Sequence, residues 1–308
     1  MNTKPLLALA ALVTLSSPAL AHRFWILPSS TVLSGEEPWV TFDAAVSNNL
    51  FFADHVAPPL EAFKAIGPDG KPVELQNGAK GKYRTVFDLA LTKEGTYKVA
   101  TVREMILASW KEGEETKNFR GSEADFKAAA LDGKPELKVT ESYSRVETFV
   151  TRGEPTKDAL KPTGKGLEVL FEQSHPNDLF AGEKATFVLH LNGKPAAGVK
   201  VSVIKGDDRY RSEIGEISST TNDKGEFEIT WPEAGRYWLN AAVGGGARGE
   251  GGPQGGAPKK EGAPQGGAPK AEGGPQGGPA KGGSGGPGGA GGGGPRSAYT
   301  AVFEVLPE

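Results

Sequence analysis

The sequence of 308 residues contains no cysteine. Disulfides, thiolate metal sites and cysteine nucleophiles are therefore excluded, and so is a lipid anchor on a cysteine behind a signal-peptide cleavage site. The absence does not argue against export, because an oxidising compartment permits disulfides without requiring them. A chain of this length also buries enough apolar surface to fold without such cross-links.

Long apolar runs are also missing. The run near the N-terminus, Leu6–Leu15, is shorter than the roughly 20 residues that a membrane span requires, and no later run approaches that length. The formal net charge is −3 at pH 7, so nothing indicates a polyphosphate partner or a strongly anionic membrane surface. We expect no membrane span in the mature chain and no nucleic-acid partner.

The common catalytic motifs are absent as well. The sequence has no Gly-x-Ser-x-Gly elbow, no His-Glu-x-x-His zinc motif and no Gly-x-x-x-x-Gly-Lys phosphate loop. No spacing of carboxylates supports glycoside hydrolysis over solvated strand residues. The five tryptophans are better explained as core residues than as a sugar platform. The sequence therefore predicts a binding protein rather than an enzyme.

The N-terminus has the three parts of a secretory signal peptide. Lys4 supplies the positive charge, Leu6–Leu15 the apolar region, and residues 19–21 (Ala-Leu-Ala) the cleavage site. Residues 1–21 are thus predicted to be removed, so that the mature chain begins at His22 and is periplasmic or secreted.

Short runs of alternating apolar and polar residues recur between turn signals in the mature chain, as in half-buried antiparallel strands. The sequence predicts a mainly β protein with two immunoglobulin-like β-sandwich domains, at 22–152 and 167–308, joined by a Pro/Gly-rich linker at 153–166. Between Met105 and Leu131 the chain is charged and Ala-rich, and we expect a small helical or irregular excursion there.

A glycine-rich tract interrupts the second domain. Residues 244–295 hold more than half of the 44 glycines, with Pro, Gln and Lys. The tract lacks the every-third-residue glycine of collagen and has few side chains able to stabilise an ordered backbone. We predict a disordered loop before the last strand. Its role is open between a neutral expansion of a hairpin tip and a sticky arm or spacer.

Histidine is scarce, with four in the chain. Cleavage after residue 21 would give His22 a free α-amine, and this amine and the ring Nδ1 can chelate one divalent ion such as Cu(II), Ni(II), Co(II) or Zn(II). A second histidine from the fold would complete a histidine brace. The alternative is that a histidine stands at the first mature position by chance.

Two further histidines lie in candidate metal-binding motifs. His55 follows Asp54 at a predicted strand end, where Asp54 could bind metal or orient an imidazole. The alternative is a surface loop whose phenylalanines cap the core. His175 precedes Pro176, and turn chemistry explains that segment equally well. His190 alternates with leucines along a predicted strand, so we expect it to face solvent.

The predicted mature start, residues 21–29 (Ala-His-Arg-Phe-Trp-Ile-Leu-Pro-Ser), resembles that of the DUF4198 family, which is grouped with periplasmic components of cobalt and nickel uptake. The resemblance covers nearly the whole chain, and further similar segments are 46–51 followed by His55, 144–150, 175–179 and 193–198. It implies an exported, β-rich protein with His22, His55 and His175 at recurrent motif positions. The glycine-rich insertion departs from the family pattern.

These observations favour a periplasmic protein that binds nickel, cobalt or copper through His22, with His55, His175 and Asp54 as further candidate ligands. Its expected partner is a membrane transporter or receptor. One alternative is a non-enzymatic structural or adhesive envelope module, with sandwich spacers and a Gly/Pro/Lys-rich loop. A copper monooxygenase is less favoured, because the sequence displays no exposed substrate face. Convergence of the three histidines on one point would distinguish these functions.

Overall fold

The computed structural model describes residues 22–244 and 296–308. The predicted signal peptide and all but the first residue of the predicted disordered loop lie outside these residues.

Residues 22–152 form ten strands and one α-helix. In chain order they are β1 (Arg23–Pro28), β2 (Val32–Leu33), β3 (Trp39–Ser47), β4 (Phe63–Ile66), β5 (Pro72–Val73), β6 (Gln76–Lys80), β7 (Thr85–Ala90), β8 (Gly95–Glu112), β9 (Glu115–Gly121), α1 (Glu123–Ala128) and β10 (Lys138–Arg152).

The described residues beyond 152 add eight strands. They are β11 (Leu167–Leu170), β12 (Lys184–Leu191), β13 (Lys194–Pro195), β14 (Lys200–Lys205), β15 (Ile217–Thr220), β16 (Glu226–Thr230), β17 (Gly235–Val243) and β18 (Arg296–Val305). One-turn 3₁₀ helices lie at Leu60–Ala62, Asp158–Leu160 and Asp208–Tyr210. The predicted mainly β fold is confirmed.

The strands of the described residues form three sheets. One has the order β1-β3-β7-β6, and another the order β11-β12-β13 with β16 also paired to β12. The largest has the order β15-β14-β17-β18-β10-β8-β4-β5, with β2 on β10 and β9 on β8. It continues through both halves of the molecule, because β10 and β18 pair in parallel.

Period-two alternation gives each half an apolar core against this large sheet. In the N-terminal half, Phe42 and Phe87 pack against Tyr97 and Val146. In the C-terminal half the largest buried side chains include Phe187, Trp231, Tyr237, Tyr299 and Phe303. Burying one large apolar side chain contributes about 1.5–3 kcal/mol, so these two clusters account for much of the stability of each half.

A third apolar cluster joins the two halves. Trp25 of β1 and Leu50 pack with Ile204, Trp238 and Val302 from the C-terminal half. The start of β1 is also bonded across this junction, because the Trp238 indole N–H donates to the Phe24 carbonyl at 2.9 Å. The start of β1 is thus held by both halves.

The predicted linker 153–166 is packed on both sides. Leu160 lies in the C-terminal core, where it joins Phe149 of β10. Thr156 and Thr96 exchange hydrogen bonds, since each backbone N–H donates to the other hydroxyl oxygen at 3.0 Å. The predicted linker therefore lies within side-chain packing that the two halves share.

A buried ionic cluster ties the same linker to β10 and β11. The Arg145 guanidinium donates to Glu147 at 3.0 Å and lies 3.1 Å from Glu168. Glu168 accepts hydrogen bonds from the backbone N–H groups of Thr163 and Gly164 at 2.8 and 2.7 Å. The charges are paired, as burial requires, and the cluster fixes the linker in place.

Residues 105–131, the predicted excursion, are mostly strand. β8 and β9 form a hairpin that pairs from Ile106–Gly121 to Glu112–Glu115. The helical part is α1, whose N-cap Ser122 forms a reciprocal capping box with Asp125. These strands were not predicted because the part of β8 from Met105 onwards shows no period-two burial pattern, and no residue of β9 is fully buried. Within the described ranges, no helix has the length and apolar character of a membrane span.

Candidate metal site

The fold brings His22 and His55 into contact at the β1 edge of the sheet β1-β3-β7-β6. Arg23, the first residue of β1, pairs with Ser47 at the end of β3. The chain then makes a loop and returns through a bridge between Val46 and Val56. The two imidazole rings stack, with centroids 3.7 Å apart and planes inclined by 11°.

The stack of the two rings is not itself a ligand geometry. A zinc-like ion binds an imidazole nitrogen at about 2.0–2.1 Å and lies in the plane of the ring, so two rings bound to one ion cannot remain stacked face to face. Because the rings are nearly parallel, their in-plane lone pairs run side by side. Side-chain rotation must therefore turn both rings towards the ion, and His55 is exposed enough to rotate.

Asp54 closes the loop that carries His55. The Asn48 backbone N–H donates to Asp54 Oδ1 at 2.9 Å, and the Asn48 side-chain amide donates to Oδ2 at 3.2 Å. A carboxylate has further lone pairs beyond these two bonds. Its role as a metal ligand stays a prediction, whereas its role in shaping the loop is visible.

His175 lies in a different environment, where protein groups use both ring nitrogens. The Asn177 backbone N–H donates to Nδ1 at 3.1 Å, so Nδ1 carries a lone pair. Nε2 lies 3.2 Å from the Thr156 carbonyl oxygen and 3.0 Å from the Thr96 hydroxyl. Because a carbonyl only accepts, Nε2 holds the proton, and the ring is neutral.

Burial is the main reason that the pKa of His175 is lowered. The Thr156 carbonyl and Asp178 act in the opposite direction, and Lys157 lowers the pKa further. A metal ion at His175 would have to displace hydrogen bonds that hold the turn to β8 and to the linker.

The structure therefore brings together two of the four predicted ligands, and a third adjoins them in sequence. Across residues 22–244 and 296–308, no group of three or more His, Asp or Glu side chains could hold a metal ion. His175 does not join His22 and His55. His190 lies half-buried on β12, opposite Glu168 and Pro195.

A comparison with models of protein families agrees with the resemblance seen in the sequence. The model of DUF4198, a domain of unknown function, matches residues 19–245, which include all four histidines. The chain belongs to the DUF4198 family. The family description names no activity, so it leaves the function of these histidines open.

A comparison with curated proteins finds no match. Among solved structures, the DUF4198 chain is similar to a DUF4785 family protein from Legionella pneumophila, with 9% identity over 70% of this chain and 50% of that one, at a TM-score of 0.22. It is also similar to the D0-D1 domain of intimin, with 12% identity over 70% and 88% of the two chains and a TM-score of 0.17. The chain thus spans about half the length of the DUF4785 protein. Likenesses this weak support no argument about function.

One residue that holds the segments next to the histidine pair could not be identified from the sequence of this DUF4198 chain. Asp208 is buried, and its carboxylate accepts from the Leu50 backbone N–H at 3.0 Å and pairs with the Arg23 guanidinium. Gly206-Asp207-Asp208 has the composition of a solvated turn. Only the fold shows that this turn meets the start of β1.

Proposed function

We propose that the mature DUF4198 chain is a periplasmic binding protein that captures one divalent nickel, cobalt or copper ion through His22 and supports its uptake. It binds and passes on the ion without catalysing a reaction. The observation that supports this proposal most is the contact between the His22 and His55 rings, 3.7 Å apart. Cleavage after residue 21 is the second element of the proposal.

Cleavage would supply a third nitrogen donor next to the two rings. In the full chain the backbone nitrogen of His22 is an amide, whereas in the mature chain it would be an amine within chelating reach of its own ring. Amine and imidazole nitrogens suit copper, nickel, cobalt and zinc better than calcium or magnesium. Each donor must lose a proton to bind, so affinity should fall in acid.

The test compares two proteins by calorimetric titration with Cu(II) and Ni(II). One is the mature chain beginning at His22, and the other carries a single alanine in front of His22. The extension conserves every side chain but turns the amine into an amide. Changes that merely disturb the partners of metal ligands cost about 10–100-fold in affinity, so loss of a donor should weaken binding by about 100-fold or more.

His190→Ala in the mature chain is the matched control, because His190 is a half-buried strand residue away from the pair. Its metal affinity should equal that of the unmodified mature chain. Equal affinities of the mature and extended chains would contradict the proposed site.

The continuous large sheet favours a second candidate, a structural or adhesive envelope module. Parallel pairing of β10 with β18 runs from Ser142–Arg296 to Thr148–Val302 and fixes the two sandwiches side by side, as a spacer requires. Co-sedimentation of the full chain with isolated cell-wall polymer tests this function, with a chain lacking residues 245–295 as the control. Binding that depends on those residues would support the module.

A further inference from the structure

We infer that Asp208 is a positioning residue for the His22–His55 pair and acts from the opposite half of the molecule. The inference deepens the proposed function and rests on it for the role of the pair. Asp208 begins the one-turn helix Asp208–Tyr210, in the connection between β14 and β15. Its carboxylate points inward, since the side chain is only 4% exposed.

One carboxylate holds both chain segments that carry the histidines. On one side it pairs with the guanidinium of Arg23, the residue that directly follows His22. On the other side it accepts from the backbone N–H of Leu50 at 3.0 Å, in the loop that leads to His55. A buried carboxylate that meets a cation and a backbone N–H makes charge-assisted bonds, which are stronger than neutral ones.

The close approach of the two loops is a second, independent observation. A Cβ placed on Gly206 would lie 2.7 Å from the Phe51 ring, so only glycine allows Phe51 to pack there. Phe51 and Asp207 both adopt left-handed backbone angles, with φ of 64° and 62°. Such angles are unfavourable for residues with a Cβ. Phe51 forms the close contact with Gly206, and Asp207 follows Gly206 directly in the chain.

Charge gives Asp208 a further effect on the site. Arg23 carries a positive charge next to His22, and it also lies over the Trp238 ring at 5.9 Å. Pairing with Asp208 compensates that charge. Without Asp208, an uncompensated guanidinium would stand beside a site meant for a divalent cation and would repel it.

Two substitutions in the mature chain distinguish the contact of Asp208 with Arg23 from its contact with Leu50. Asp208→Ala removes both of them. Asp208→Asn keeps an oxygen that can accept from Leu50 but loses the ion pair with Arg23. The matched control is Glu304→Gln. Glu304 of β18 likewise accepts a hydrogen bond from a backbone N–H, that of Thr31, at 3.1 Å. Thr31 lies beyond the end of β1 that is far from His22.

The first readout needs no metal. Nuclear Overhauser contacts between the imidazole protons of His22 and His55 report whether the rings remain together. We expect these contacts in the unmodified chain and in Glu304→Gln, weaker contacts in Asp208→Asn, and none in Asp208→Ala.

The second readout is Cu(II) titration of the same four proteins. Disturbing the groups that orient metal ligands costs about 10–100-fold in affinity, so we expect losses of that size in both Asp208 variants, larger in Asp208→Ala. Glu304→Gln should bind as tightly as the unmodified chain.

Persistent ring contacts in Asp208→Ala would overturn the inference, whatever the copper affinity. If Asp208→Ala does not fold, unchanged contacts and unchanged affinity in Asp208→Asn would overturn it instead. If the unmodified chain binds no copper, nickel or cobalt while Asp208→Ala loses the ring contacts, the positioning role stands and the proposed function fails.

Discussion

The His22–His55 pair and His175 form two contrasting histidine environments in one molecule. His55 is exposed and stacks on His22 at 3.7 Å. His175 is largely enclosed, and its two ring nitrogens are bonded to Asn177, Thr156 and Thr96. In the sequence His22 stands at the predicted cleavage site, His55 at a predicted strand end and His175 before Pro176 in a predicted turn. The resemblance gives the three histidines equal weight.

Under the proposed function, hydrogen bonding and burial separate a histidine that would bind metal from one that holds the fold. A ring whose nitrogens are already used, and whose pKa is lowered by burial, gains little by binding a metal ion. His55 is exposed, so a metal ion can reach its ring from solvent. The following experiments test that distinction, beginning with the largest expected effect.

Metal affinity should respond to His55 and not to His175. In the mature chain, His55→Ala removes an imidazole next to His22, and we expect Cu(II) affinity to fall by about 10–100-fold or more, which is about 1.4–2.8 kcal/mol. His175→Asn should leave the affinity unchanged, because its ring lies apart from the pair. Calorimetric titration measures both.

A comparable loss of affinity in His175→Asn would abolish the distinction between the two environments. It would mean that His175 reaches the ion in the metal-bound protein, as the sequence analysis predicted.

Much of the fold was predictable from the sequence, because strand periodicity and turn residues are local signals. Alternating apolar and polar residues form strands in the structure, as in β7 and β14. The parallel pairing of β10 with β18 was not predictable, since it joins the last strand of the N-terminal half to the last strand of the C-terminal half. Consequently the sequence did not show that one sheet crosses both halves.

The candidate site was predictable only in part. His22 followed from the cleavage site, and His55 from a polar motif at a strand end. Nothing local distinguished His175 from them, because its hydrogen bonds reach Thr96, far away in the sequence. Asp208 was missed for the same reason, since its partners Arg23 and Leu50 lie in the other half of the chain.

Folding stability should depend on His175 more than on His55, the opposite of the order expected for metal affinity. His175→Ala would leave the Asn177 N–H and the Thr156 carbonyl without their ring partners. Leaving buried polar groups unsatisfied costs about 1–3 kcal/mol, so the free energy of unfolding should fall by that amount. His55→Ala, at an exposed position, should change it by less than about 0.5 kcal/mol. Urea unfolding of the metal-free proteins measures both, and equal losses would contradict the assigned roles.

The smallest expected effect is a change of the free energy of unfolding with pH that is caused by the titration of His175. Burial lowers the pKa of His175 in the folded protein, whereas an unfolded histidine titrates near about 6.5. Between these two values the unfolded state binds more protons, so the free energy of unfolding decreases as the pH falls. The stabilisation should be complete above about pH 7 and should be lost as the pH falls through the folded pKa.

His175→Asn removes the titration but keeps an oxygen that can accept from the Asn177 N–H, as Nδ1 does. The difference in urea midpoint between the unmodified chain and His175→Asn should therefore shrink from about pH 7.5 to about pH 5. A difference that stays constant over this range would show that His175 does not resist protonation, and its role in the fold would then have to rest on packing alone.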